Sequence, residues 1–481
     1  MEKQALYEII EENAPSIIAL SDKIWELSEL SMEEYQSAEY YCELLEREGF
    51  AVERQLCGIP TAFSGSFGSG SPRIGILGEF DALSGLSQVG ASPRRECLVE
   101  GGNGQGCGHN LLGAAAFGAA LAIKKALEAG ALSGTVIFYG CPGEEGCAGK
   151  TFMARDGAFR DLDAALTWHP GDTNEVKVGA SAACIQVEYS FRGVAAHAAN
   201  DPYNGRSALD AVELMHVGVQ FLREHMPPNS SIHYSITDGG GVSPNVVQAG
   251  ARTIFMIRGE TVRKAKALRE RVEKIAQGAA LMTETEFTAR QLDGTASTVG
   301  NQVLEQVMDK NLRQAPLPVY TQEEQDYAHA LRQSYTWELP GELAKTNPQV
   351  RAFVLRQTQG GQKDLNDFVM PYVPSQAYCP GSTDVGDVSW LTPTAQFTTA
   401  TWASGSPGHS WQNVSIGRSS IGHKGMLLAA KVLAGSAWDL MRSPALLAEA
   451  RAEFQEAAAE GYDCPIGPEV VPGPQSRGNI T

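Results

Sequence analysis

The sequence predicts an α/β protein, built on a largely parallel sheet with helices on both faces and interrupted by an inserted domain of a different plan. Three observations predict it. Short β-branched apolar runs alternate with helix-period stretches through the first 179 residues. The order then changes to strand, helix, strand, strand, helix, strand. Several early strand-like runs end in acidic or imidazole side chains, as strands of an open α/β sheet do when their tips carry a site.

The elements follow in order. Segments 16–30 and 33–49 place apolar residues at helical spacing, and Gly49 stops the second as a C-cap. Apolar runs at 51–56, 74–77, 135–139 and 164–168 predict strands, and the small-residue-rich stretch 111–129 predicts a long helix between them. From 180 to about 292 the expected elements are a strand at 184–191, a helix at 207–225, strands at 232–237 and 246–257, a helix at 262–282 and a strand at 286–291. That order is the ferredoxin-like plan. Helical stretches at 302–313 and 323–335 follow, while 341–372 shows no clear period. A strand at 396–402 and a helix at 424–440 read as a return to the first domain, with an Ala/Glu-rich helix at 446–460 and a Pro/Gly tail from Cys464. The expected organisation is a host domain over 1–179 and 298–481 with an insert over 180–297.

A chain of 481 residues exceeds one ordinary core, so at least two domains are expected. With 20% charged residues and a net charge of -18 it lacks the basic footprint of a nucleic-acid binder, which leaves small molecules as the expected partners. The N-terminus has no basic and apolar leader, and no run approaches the roughly 18 apolar residues of a membrane span. The expected location is the cytoplasm, away from the membrane. Nine cysteines at irregular spacing argue for reduced thiols rather than a disulfide framework, and Cys107 stands apart from the rest by its neighbourhood.

The chemistry concentrates at strand ends. The run 134–140 delivers Glu144 and Glu145 in a Cys-Pro-Gly-Glu-Glu-Gly turn; 73–78 leads into Glu79 and Asp81; 164–168 ends at His169; the run at 396–402 leads to His409; Cys107 and His109 precede the long helix. Each is a weak signal alone. Together they supply thiolate, imidazole and carboxylate, the donors that zinc, manganese or cobalt use in hydrolases. Adjacent residues at a strand end point different ways, so one glutamate can bind metal while the other moves protons. Nucleophilic alternatives fit worse: no Gly-x-Ser-x-Gly elbow joins a convincing His and acid, and the Gly-rich stretch 101–106 lacks the Gly-Lys-Ser/Thr ending of a phosphate loop.

The motifs Gly-Glu-Phe-Asp-Ala-Leu (78–83), Gly-Cys-Gly-His-Asn (106–110), Cys-Pro-Gly-Glu-Glu-Gly (141–146), Trp-His-Pro (168–170), Ala-Ala-His-Ala-Ala (195–199), Ser-Pro-Asn-Val-Val (243–247), Ser-Thr-Asp-Val-Gly-Asp-Val-Ser-Trp (382–390) and Gly-His-Ser-Trp-Gln (408–412) occur in an order that resembles the aminoacylase/carboxypeptidase-type dinuclear metallopeptidases, and most closely their p-aminobenzoyl-glutamate branch. The resemblance implies two divalent metal ions, manganese or zinc, held by Cys107, His109, Glu145, His169 and His409, with Cys107 bridging. It implies Glu144 as general base and Asp81 as the supporting acid. It also implies that the insert is a lid and dimerisation domain, that its His197 reaches a neighbouring protomer's site, and that Asn245 and Arg258 contact substrate. The implied substrate is an N-acyl amino acid, first p-aminobenzoyl-glutamate, and the implied partner is a second copy or a homologous chain. The sequence departs from the wider family at Asn110, where many relatives carry Asp, and at Glu79, where a metal-binding His stands elsewhere. A dipeptidase, an amidohydrolase for another acyl amino acid, a chain active only with a partner, and an insert that serves as a dimer interface alone are the rival expectations.

Overall fold

The structure is a computed structural model, and it describes residues 2–474. In chain order its elements begin with helices α1 (Gln4–Glu12), α2 (Ala14–Leu27) and α3 (Tyr35–Arg47), then strands β1 (Ala51–Arg54), β2 (Phe63–Ser69) and β3 (Arg73–Glu79). Helix α4 (His109–Glu128), β4 (Gly134–Cys141), α5 (Gly149–Arg155), β5 (Ala164–Gly171) and β6 (Glu175–Val176) follow. Next come β7 (Ala180–Ser181), β8 (Ala183–Arg192), α6 (Ala208–Arg223), β9 (Ser231–Asp238), β10 (Gly250–Gly259), α7 (Val262–Thr283) and β11 (Glu286–Thr295). The remainder comprises α8 (Gln302–Gln314), α9 (Gln322–Arg332), α10 (Glu342–Thr346), α11 (Pro348–Gln357), β12 (Tyr378–Cys379), α12 (Val385–Ser389), β13 (Thr394–Ala400), α13 (Trp411–Ile416), α14 (Ser420–Arg442) and α15 (Pro444–Ala457).

Two compact units form. Among the described residues, the first contains 2–179, 299–376 and 388–460; the second contains 180–298, 377–387 and 461–474. The expected host segment 298–481 is therefore interrupted twice. The reason is local pairing: β12 runs parallel to β7, the Tyr462 hydroxyl donates to Asp387 Oδ1 at 2.7 Å, and the Gln291 side-chain amide donates to the Pro465 carbonyl at 2.8 Å.

The sheet of the first unit has seven strands in the order β1-β2-β4-β3-β5-β13-β6. Only its centre is parallel, in the pairs β4/β3, β3/β5 and β5/β13. The flanking pairs β1/β2, β2/β4 and β13/β6 are antiparallel, so the sheet is mixed rather than largely parallel. The connection from β1 to β2 is too short for a crossover, which forces the return strand to run backwards. The central strands read as continuous apolar runs because both faces are covered: every residue of β4 and all but the first of β3 are buried.

Helix α4 packs against β3, β4, β5 and α14. Its alanines and glycines allow this closeness; a Cβ on Gly113 would stand 2.3 Å from the Tyr41 hydroxyl and 2.7 Å from the Glu79 carbonyl oxygen. Trp168 Nε1 donates to the Leu112 carbonyl at 3.0 Å and ties β5 to the first turn of α4. By length and hydropathy α4 could cross a bilayer, contrary to the expectation from the sequence, but 89% of its most apolar window is buried inside the unit. It is a core helix.

The second unit has a four-stranded sheet in the order β11-β8-β10-β9, antiparallel throughout. Helices α6 and α7 pack on it over a core of Ile185, Val187, Tyr189, Met215, Phe255 and Val272. Strand β10 alternates buried with half-buried residues along most of its length, as one covered face requires. Strand β9 is an edge, and most of it is exposed.

Candidate metal centre

The tips of β3, β4 and β5 bring the expected residues of the first unit together. Beyond β3 stands Asp81; beyond β4 the turn carries Glu144 and Glu145; β5 carries His169. His109 opens α4, and Gly108 before it takes a left-handed conformation at φ 78°. A Cβ there would stand 3.1 Å from Pro170, so glycine suits both the turn and the close approach that let Cys107 and His109 face one point. His409 also has positive φ, 50°, a conformation that residues other than glycine adopt at a cost and that clusters at functional sites.

The donor atoms fall into overlapping groups. Those of Cys107, His109 and His169 lie within 4.8 Å of one another, as do those of Cys107, Glu145 and His409 and those of Glu79, His109 and Glu144. Cys107 is common to the first two. Its Sγ is 3.3 Å from His169 Nε2, and His409 Nε2 is 3.5 Å from Glu145 Oε2.

Surrounding contacts orient these donors. His109 Nδ1 is 2.8 Å from Asp81 Oδ1 and His169 Nδ1 is 2.7 Å from the Pro170 carbonyl, so each ring commits a proton on Nδ1 and presents Nε2 to the cluster. Burial opposes protonation of His109, but the acidic neighbours Cys107 and Asp81 outweigh it and raise the pKa of the ring. Asp81 is held in turn: its Oδ2 accepts from the Ser31 hydroxyl at 2.8 Å and from the Glu145 backbone N–H at 2.9 Å. Burial opposes ionisation of Asp81, yet the His109 ring and these hydrogen bonds keep its pKa below the usual carboxylate value. Burial, then the neighbouring His109, lowers His169 to about 4, so it is a neutral ligand-ready imidazole at neutral pH.

The residues fit a metal on a direct structural test. His109 Nε2 and Glu145 Oε1 are buried and have no hydrogen-bond partner among the described residues. Buried polar atoms left unpaired among carboxylates are what bound cations normally satisfy.

The peptidase family M20/M25/M40 matches residues 76–363, more than half of the chain. The chain belongs to that family. As a member it is a metal-dependent amidohydrolase, and its matched segment carries all the site residues above except His409. It is 45% identical over 95% of its length, and 95% of the relative's, to one of the subunits of p-aminobenzoyl-glutamate hydrolase from Escherichia coli (strain K12). It is 31% identical to the Xaa-Arg dipeptidase of Mus musculus over 58% of this chain and 64% of that one. The crystal structure of a dinuclear metal-binding M20 peptidase from Bacillus subtilis shares the fold, with a TM-score of 0.54 at 17% identity over 90% of this chain and 99% of that one.

The remaining expected residues of this M20 chain lie in the second unit. His197 is exposed; it bridges to Val246, and its Nδ1 accepts from the backbone N–H groups of Ala199 and Asn200 at 3.2 and 3.1 Å. Asn245 is its neighbour, accepting at its carbonyl from Ala198 N–H at 2.9 Å. Arg258 is half-buried on β10, with Nε donating to the Ser382 hydroxyl at 3.2 Å.

Several site-shaping residues were not foreseen. Glu34 is fully buried and accepts from Gly143 N–H at 2.8 Å, bracing the turn before Glu144; burial and the charge of Asp81 push its carboxyl up to about 8, so it is neutral at neutral pH. Lys150 is fully buried and pairs with Glu79 at 2.7 Å. A single lysine inside the apolar stretch 149–154 was the available signal.

Proposed function

We propose that the chain cleaves the amide bond of p-aminobenzoyl-glutamate, releasing p-aminobenzoate and glutamate, with two divalent ions, manganese or zinc, as cofactors. The sharing of Cys107 by two separate donor groups carries the two-ion reading, because one thiolate can then serve both. The 45% identity over nearly the full length of the E. coli hydrolase chain supports the substrate.

Cys107, His109 and His169 would hold one ion and Cys107, Glu145 and His409 the other. When bound, such ions polarise a carbonyl and lower the pKa of water toward neutrality. Glu144, half-buried beside this cluster, takes the proton of the attacking water and returns it to the leaving amine. Asp81 holds the His109 tautomer, so that Nε2 and not Nδ1 is offered. In the second unit the two N–H groups on His197 Nδ1 leave the ring proton on Nε2, which makes it a donor suited to a developing oxyanion. Arg258 pairs with no carboxylate among the described residues, and its fork suits a carboxylate of glutamate; Asn245 stands beside His197 as a second polar contact.

The second unit acts as a ferredoxin-like lid and dimerisation domain. Support comes from its strand order and from one apolar face: Val217 and Phe221 on α6, with Tyr234 and Ile236 on the edge strand β9, are 53, 74, 37 and 48% exposed. A homologous chain presenting the same face would cover it and bring His197 to the partner's site. That chain is a second copy or a companion of the kind the E. coli hydrolase has in its two named subunits. In chain order the insert follows the host segment 1–179 and spans 180–297, and within 298–481 the segments 377–387 and 461–474 rejoin it. Nine cysteines, none in a disulfide, suit a reducing compartment, so we assign the chain to the cytoplasm.

Rates on p-aminobenzoyl-glutamate, an Xaa-Arg dipeptide and N-acetyl amino acids test the substrate. A kcat/KM at least roughly tenfold higher for p-aminobenzoyl-glutamate is expected, about 1.4 kcal/mol of discrimination; a preference for the dipeptide overturns the substrate and keeps the chemistry.

A further inference from the structure

The chemistry assigned above uses neither Glu79 nor Lys150, yet both are among the most deeply placed charges in the first unit. Their side chains are 2 and 0% exposed, and Lys150 Nζ lies 2.7 Å from Glu79 Oε1. The other oxygen, Glu79 Oε2, lies 3.2 Å from His109 Nε2, and that nitrogen has no aligned hydrogen-bond partner among the described residues.

A purely structural ion pair does not explain this geometry. Nδ1 of His109 is committed to Asp81, so the ring presents Nε2 to Glu79 Oε2, and in the neutral form that a metal ligand takes that nitrogen carries a lone pair. Glu145 Oε1, also without a partner among the described residues, stands 4.0 Å from the same nitrogen, and Glu144 completes a group with Glu79 and His109 within 4.8 Å. Glu79 Oε2, His109 Nε2 and Glu145 Oε1 converge, and the last two have no hydrogen-bond partner among the described residues. A cation relieves that arrangement, and a hydrogen-bonded structural pair would not need it. Lys150 matters because, from helix α5, it pairs with one carboxylate oxygen while the other lies 3.2 Å from His109 Nε2.

We propose that Glu79 is an additional carboxylate ligand of the ion held at His109, and that Lys150 is its positioning residue. The proposal rests on the reading of His109 as a metal ligand. It also fits the chemistry of the departure at this position: where a His elsewhere supplies a softer nitrogen, Glu79 supplies a hard oxygen, which favours manganese relative to zinc.

The test is metal binding by the full chain, stripped and titrated with Mn²⁺, Zn²⁺ or Co²⁺. Glu79→Gln should weaken Mn²⁺ binding at one of two sites by about 10- to 100-fold, weaken Zn²⁺ binding less, and change the visible absorption of the cobalt-loaded protein. Lys150→Met should do the same at the same site, and Lys150→Arg should restore part of the loss, which a cavity or packing defect would not allow. Variants that bind two ions with wild-type affinity and an unchanged cobalt spectrum overturn the proposal. If a single variant does not fold, Glu79→Gln combined with Lys150→Met removes both charges together and carries the measurement; failure of that variant to fold makes the pair structural and overturns the proposal as well. Failure of the wild-type chain to bind any of the three ions overturns instead the reading of the metal centre itself.

Discussion

At the strand tips of the first unit the side chains of Glu79, Asp81, His109 and Lys150 are between 0 and 2% exposed, whereas on the outer face of the second unit Val217 and Phe221 stand 53 and 74% in solvent. Each placement costs free energy when the chain is taken alone. Buried charge requires partners or a cation, and an exposed apolar face requires a covering surface. The difference teaches that the two units make different demands: buried charge in the first suits bound ions, and the apolar face of the second suits a covering surface. A hydrolase that assembles in pairs would show both signatures in one chain.

The largest expected effect lies at the acidic tips. Glu144→Gln should lower kcat by about 10²- to 10⁴-fold while metal content and thermal midpoint stay near wild type; near-normal turnover would take the base role from Glu144. Cys107→Ala should remove metal from both donor groups, since its sulfur belongs to both; retention of one tightly bound ion would break the shared-ligand reading.

The apolar face gives the next effect. Phe221→Asp places a charge on the exposed stripe of α6, and light scattering should show a dimer becoming a monomer with circular dichroism unchanged. His197→Ala should reduce turnover about 10- to 100-fold with the oligomer intact, in line with loss of an oxyanion donor. Unchanged turnover in that variant, with dimerisation kept, would leave the second unit as an interface alone.

A smaller effect separates buried carboxyls that have a cation from those that do not. Glu305 on α8 accepts from the Tyr372 hydroxyl at 2.9 Å and pairs with no cation among the described residues. Burial pushes it up to about 7 from 4.5. The folded state therefore holds its proton more tightly than the unfolded chain does. The penalty is absent below about pH 4.5, grows between 4.5 and 7, and is complete above 7. Glu305→Gln should then raise stability at pH 8 by up to ~3 kcal/mol and change little at pH 4. Denaturant melts at the two pH values check it, and equal gains at both would sink the linkage.

Much of this was legible in the chain. Gly49 follows the end of α3 at φ 84°, as a helix-stopping glycine should, and β3, β4 and β5 enclose the apolar runs that announced them. That Cys107, His109, Glu144, Glu145 and His169 gather at one end of the sheet was also readable, because they follow strand-like runs or open the long helix between them. Strand β2 was not: Phe63-Ser-Gly-Ser-Phe-Gly-Ser has only two large apolar residues among serines and glycines that read as a loop, and it is a strand because β1 and β4 offer it partners on both sides. Nor could the sequence show that 377–387 and 461–474 leave the first unit, since pairing between β7 and β12 joins segments far apart in the chain. Lys150 escaped for a similar reason. Its role depends on Glu79, which only the fold brings beside it.

The most direct measurement is glutamate release from p-aminobenzoyl-glutamate by the purified chain, after chelation and again with manganese or zinc restored. A two-ion hydrolase shows no turnover when stripped and recovers it as two ions bind per chain. Full turnover after stripping, or none with two ions bound and the dimer present, would contradict that assignment.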